Sequence, residues 1–152
     1  MTRSAPPAPA TREVGFFDSP LSAAARIEAG EFSPVLLTEA MLGRIEILEP
    51  QLQAYATLMP AAALEAAAQA QGEIAAGRYR GPLHGRPVAV KDLCYTQAVP
   101  TMGGMGVYRD FLPDHDATVV RRLKEAGAVL IGKLNLTEGA EGGYHPDFEV
   151  PK

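Results

Sequence analysis

Three kinds of residue in this chain could do chemistry: two lysines that close apolar runs, three histidines and a single cysteine. Lys91 closes Pro87-Val88-Ala89-Val90 and is followed at once by Asp92, while Lys133 closes Ala128-Val129-Leu130-Ile131-Gly132. A strand interior excludes charge, so each lysine marks either a strand end in water or a charge held at the edge of a buried site. A lysine acts as a general base only when neutral, which requires burial or a neighbouring positive charge. The solvated strand end is the commoner arrangement, and spacing alone does not choose between the two.

The remaining candidates are weaker. His84, His115 and His145 are far apart, and only Asp114-His115-Asp116 looks like a set of metal ligands. Adjacent side chains do not easily turn onto one ion, and Asp116 is expected to cap a helix, so no metal site is predicted. Cys94 has no identifiable partner and reads as a small buried hydrophobe. The stretch "MGGMG" at residues 102–106 either offers backbone N–H groups to an anion or a substrate carbonyl, or is a plain turn. "GAVLIGKL", residues 127–134, matches the G-x-x-x-x-G-K part of a phosphate-binding loop, but Leu134 stands where the pattern needs Ser or Thr for magnesium. The residues between its glycines also read as a strand and not a loop, so nucleotide binding is set aside.

The elements that must position these residues follow from punctuation and periodicity. "SPLSAAARIEAG" offers Ser19 as an N-cap, Pro20 at the first helical position and Gly30 as a stop, and Ser33-Pro34 opens a second helix in the same way. In that second helix Leu37, Met41, Ile45 and Leu48 line one face. After an extended "AYATLM" comes an alanine-rich helix ended near Gly77, whose small side chains allow close packing. "RPVAVKD" and "AVLIGK" read as short buried strands. Between them "DATVVRRLKEAG" reads as a helix with Asp116 as N-cap, an apolar face at Val120, Leu123 and Ala126 together with Val119, and Gly127 as the stop.

Strand, loop, helix, strand is the order of a parallel βαβ crossover. The predicted fold is therefore α/β, with N-terminal helices followed by a βαβ unit. Lys91 and Lys133 would each sit just beyond the carboxyl end of a strand, where open α/β sheets bind ligands.

Composition sets the outer bounds. The chain has 152 residues, 47% hydrophobic and 21% charged, enough for one domain with a core. A net charge of −4 gives no basic footprint for nucleic acid and no polybasic stretch for a membrane, so a small neutral substrate fits better. One cysteine permits no internal disulfide framework, which suits a reducing, cytoplasmic setting. Residues 1–17, rich in Pro and Ala, are expected to be a disordered lead-in, and residues 18–152 to form the domain.

"GPLHGRPVAVKDLCYTQAVPTMGG", then "DHDATVVRRLKEAGAVLIGKLNLTEGA" and "GGYHPDFEVPK", resemble the amidase signature family, which includes bacterial amidases and the A subunit of glutamyl-tRNA amidotransferase. The likeness covers residues 81–152 closely and the N-terminal helices loosely. It implies the start of a large mixed sheet flanked by helices. It also implies a hydrolase of amide bonds that uses a Ser-Ser-Lys triad and an acyl-enzyme, with no metal and no organic cofactor. Lys91 matches the catalytic lysine of that family, Asp92 matches the structural residue that follows it, and Lys133 matches a recurrent lysine outside the triad.

The sequence departs from the family in one respect that bears on activity. Its serines are Ser4, Ser19, Ser22 and Ser33, all before Lys91, whereas the two triad serines of the family lie after the lysine in a Gly/Ser-rich segment. Gly139 also stands where the family usually has a larger apolar residue. The expectation is the N-terminal portion of an amidase domain that is inactive as an isolated chain. Its partners would be a small-molecule amide and a chain supplying the missing half. The alternative is a non-catalytic interaction or decoy fragment, or a pseudogene product.

Overall fold

A computed structural model describes residues 19–148 and 150–152; the expected lead-in at residues 1–17 lies outside them. Two helices open the chain by the same device. Helix α1 (Pro20–Glu28) and helix α2 (Pro34–Leu52) each place a proline in the first turn behind a serine cap. Ser19 Oγ accepts the Ser22 N–H and Ser33 Oγ the Leu36 N–H, each at 3.2 Å. The caps satisfy amides that a helix start leaves without partners, and proline costs nothing there because its missing N–H would have gone unpaired. Helix α1 stops at Ala29-Gly30, as its glycine predicts.

Strand β1 (Tyr55–Leu58), helix α3 (Pro60–Ala75), strand β2 (Pro87–Lys91), helix α4 (Thr118–Glu125) and strand β3 (Val129–Leu134) complete the regular structure, with single 3-10 turns at Gly106–Tyr108 and Glu138–Ala140. The sheet order is β1-β3-β2. Strand β2 runs parallel to β3, as a βαβ crossover requires, and β1 pairs antiparallel with β3 on the other side. The result is a mixed sheet with β3 at its centre.

Alternation along the strands supplies two apolar faces. On one, Val129 and Ile131 of β3 pack on Ile45 of α2 and on Ala63 and Ala67 of α3, with Ala89 at the margin. The alanines are fully buried, and their small side chains let α3 lie close on the sheet. On the other face, Leu130 and Val90 pack with Val120 of α4, joined by Val88, Leu123 and Cys94. Cys94, expected from sequence to be a small buried hydrophobe, is only partly buried. Val119, grouped with the apolar face of α4 from sequence, is half exposed.

Asp116 does not cap α4. The cap position is Ala117, and no side chain bonds to the first turn. The Asp116 carboxylate instead accepts the Gln97 N–H at 2.8 Å and the Lys124 ammonium at 2.6 Å, tying the loop after β2 to the helix. Partial burial works against its ionisation, but the Lys124 and Gln97 hydrogen bonds outweigh this and hold Asp116 below the ordinary aspartate range.

Candidate active site

Lys91 is the last residue of β2 and Lys133 the next to last of β3. Both therefore lie inside strands and not beyond them, in adjacent register: Val90 faces Lys133 and Lys91 faces Leu134. Their surroundings are opposite. Lys91 is exposed, while Lys133 has no exposed surface. The two strands do not pair evenly: their register shifts after Val88, so that Val88 faces Leu130 but Ala89 faces Gly132.

Lys133 is buried because it has partners. Its ammonium lies 3.1 Å from Asp92 Oδ1 as an ion pair, off the line of a hydrogen bond. It donates to Thr101 Oγ1 at 2.6 Å. Asp92 is itself fully buried, and its other carboxylate oxygen accepts the N–H groups of Met102 at 2.9 Å and Gly103 at 3.3 Å. The main chain of Asp92 is held as well, donating to Leu134 O at 3.0 Å and accepting from Gly103 N–H at 3.1 Å. An ion pair taken out of water needs this kind of completion, because each ion loses several kcal/mol of hydration.

This arrangement decides between the two readings of "MGGMG". The stretch does present amides to an anion, and the anion is the chain's own Asp92. The turn has little freedom. Gly104 has φ +69°, and a Cβ there would come within 2.7 Å of Thr137 O and 2.8 Å of Leu136 O. Only glycine permits that approach of one backbone to another.

A second buried polar group, not foreseen from sequence, lies elsewhere. His84 Nδ1 accepts the Arg80 N–H at 3.1 Å, so its neutral ring carries the proton on Nε2, 3.2 Å from Glu73 Oε2. Arg80 Nη2 meets the other Glu73 oxygen at 2.6 Å. Burial, aided by the positive charge of Arg80, pushes the His84 pKa below the ordinary histidine value. The Arg80 and Gln69 hydrogen bonds hold Glu73 below the usual glutamate range. Gly127 leaves the room: a Cβ there would lie 2.2 Å from His84 Cδ2.

His84, Glu73 and Arg80 line a cavity of about 620 Å³ between α3, the 96–99 loop and the segment 124–130, and neither Lys91, Asp92 nor Lys133 reaches it. This cavity and the strand-end lysines are thus separate features. His115 pairs with its exposed neighbour Asp114, and His145 lies against Phe148. Among the described residues no three His, Cys, Asp or Glu side chains converge to hold a metal ion.

A mixed sheet covered by α2 and α3 on one face and α4 on the other, with an exposed lysine closing one strand and a buried acid–lysine pair beneath it, defines an α/β unit built around the carboxyl ends of its parallel strands. The chain belongs to the amidase family, whose model matches residues 36–147. It is 54% identical over 125 residues to the protein AmiD of Mycobacterium tuberculosis, an alignment covering 82% of this chain and 26% of the relative. It is 47% identical over 121 residues to the A subunit of glutamyl-tRNA(Gln) amidotransferase from Chloroflexus aurantiacus, covering 80% and 25%. Its fold is similar to that of native peptide amidase from Stenotrophomonas maltophilia, with TM-score 0.76 and 42% identity over 81% of this chain and 26% of that one. The chain thus spans about a quarter of the length of these relatives. No described helix is long and apolar enough to cross a membrane.

Proposed function

We infer that this chain is the first part of an amidase domain that hydrolyses carboxylic amides through a Ser-Ser-Lys triad, with Lys91 as its base. The observation that carries the reading is that the amidase match runs through Lys91, which closes β2 with its side chain exposed at the carboxyl end of a parallel strand. In that chemistry the neutral Lys91 amine takes a proton by way of a bridging serine. A second serine attacks the amide carbonyl, the amine or ammonia leaves, and water hydrolyses the acyl-enzyme.

No serine follows Lys91 in these 152 residues, and Ser19 and Ser33 are engaged as helix caps. Both triad serines would come from a longer protein or a companion chain, and the 152-residue chain alone would leave amides intact. Its substrate is a small carboxylic amide in a cytoplasmic setting, with no role for nucleic acid or membrane. The test compares this chain with a longer protein in which a Gly/Ser-rich segment follows. Amide hydrolysis is expected only in the longer protein and falls about a thousandfold or more in its Lys91→Met variant. Turnover by the 152-residue chain, or undiminished turnover after Lys91→Met, sinks the reading.

A second reading rests on a different observation. Strand β2 lies at the edge of the described sheet, and an open strand edge is a template for another chain. A non-catalytic module of this kind forms a stable complex in native extracts; a chain that is only monomeric there excludes it.

A further inference from the structure

An anion close to an amine stabilises the ammonium form, yet Lys91 is followed directly by a carboxylate. The fold separates the two. Asp92 is buried while Lys91 is exposed, and Lys133 Nζ meets the Asp92 Oδ1 at 3.1 Å with neither side chain of that pair exposed. The N–H groups of Met102 and Gly103 take up its other oxygen. A hydroxyl or amide at position 133 could offer hydrogen bonds there but would leave the negative charge in place. Only a cation cancels it.

We propose that Lys133 is a positioning residue for Lys91: it holds and neutralises the buried Asp92, so that the Lys91 amine keeps no carboxylate partner. This rests on the reading of Lys91 as the base. Near a protein surface, one uncancelled charge changes the free fraction of a nearby amine by about threefold or more. The other charges on elements beside the strand pair are Glu39, Arg44, Glu46 and Glu49 on α2, Glu65 and Glu73 on α3, and Arg121, Arg122, Lys124 and Glu125 on α4. All stay in place in the variants below.

The experiment measures how fast a small acylating reagent modifies Lys91 in the 152-residue chain at one mildly alkaline pH, by peptide mass spectrometry, with the exposed Lys152 as internal reference. Lys133→Met leaves Asp92 uncancelled and slows Lys91 labelling about threefold or more, whereas Asp92→Asn leaves Lys133 uncancelled and speeds it by a similar factor. The double variant Asp92→Asn/Lys133→Met and the charge-keeping Lys133→Arg both stay within about twofold of the parent. A merely structural pair moves both single variants the same way, toward the rate of a free lysine. That outcome, or no change in either, overturns the proposal. The labelling involves no turnover, so it fails independently of the amidase reading, which is decided by Lys91→Met in the longer protein.

Discussion

Lys133 Nζ stands 3.1 Å from Asp92 Oδ1, and neither side chain has any exposed surface. Thr101 Oγ1 and the Met102 and Gly103 amides complete the coordination of the pair. It joins the ends of β2 and β3 to the turn after β2, and so fixes the backbone on which Lys91 is carried.

Removing one member should therefore cost far more than removing both charges. Lys133→Met leaves a buried carboxylate without its counter-ion and is expected to lower stability by about 3–5 kcal/mol. Asp92→Asn/Lys133→Met, which buries no charge, should recover most of that loss. Urea denaturation of the four proteins of this cycle measures the coupling, and a Lys133→Met loss under about 1 kcal/mol would mean that the pair is not desolvated as described.

The turn after β2 offers a steric test. Gly104→Ala puts a Cβ against the Thr137 and Leu136 carbonyl oxygens at a positive φ, whereas Gly143→Ala meets no atom within 4 Å. The first is expected to destabilise by about 1–3 kcal/mol and lower Tm by several degrees, and the second to fall within about 0.5 kcal/mol of the parent. Equal melting temperatures would show that the turn can move away from residues 136–137.

His84 gives stability a pH dependence of definite sign. Its pKa in the fold lies below the ordinary value of 6.5, so below that pH the unfolded chain binds a proton that the folded chain refuses. Stability is then complete above about pH 6.5 and declines as pH falls toward the lowered value, by up to about 1.4 kcal/mol per pH unit. His84→Asn keeps an acceptor for the Arg80 N–H but cannot titrate, and should flatten this part of the profile. An unchanged slope in chemical denaturation between pH 5 and 7, about the histidine range, would remove His84 as its source.

Core packing predicts an ordinary contrast. Ile131→Ala opens space in the centre of β3, where the side chain is 3% exposed, and should cost about 2–5 kcal/mol, while Ile47→Ala, at 73% exposed, should change little. Similar losses at both positions would place the core elsewhere.

Much of the architecture was legible in the residues. Serine–proline pairs mark the starts of α1 and α2, glycines follow the ends of α1, α3 and α4, and two short apolar runs with a helix between them spell a parallel crossover. These are local signals: a cap, a proline ring and a period of two or about 3.6 act within a few residues of their own position. Asp116 shows the limit of such reasoning. Its place before a helix fits a cap, but Gln97 and Lys124 compete for the same carboxylate and win it.

What the chain alone determined is the order of its elements, the family to which its motifs belong, and that Lys91 and Lys133 each close an apolar run. What only the tertiary structure decided is which lysine is buried, where the amides of Met102 and Gly103 are used, and that His84, Glu73 and Arg80 form a second polar cluster beside a separate cavity. Lys91 and Lys133 look alike in sequence because each closes an apolar run. They differ because Lys91 ends its strand exposed, whereas Lys133 meets Asp92 and Thr101, and burying a charge is tolerable only where an opposite charge and hydrogen-bond partners converge.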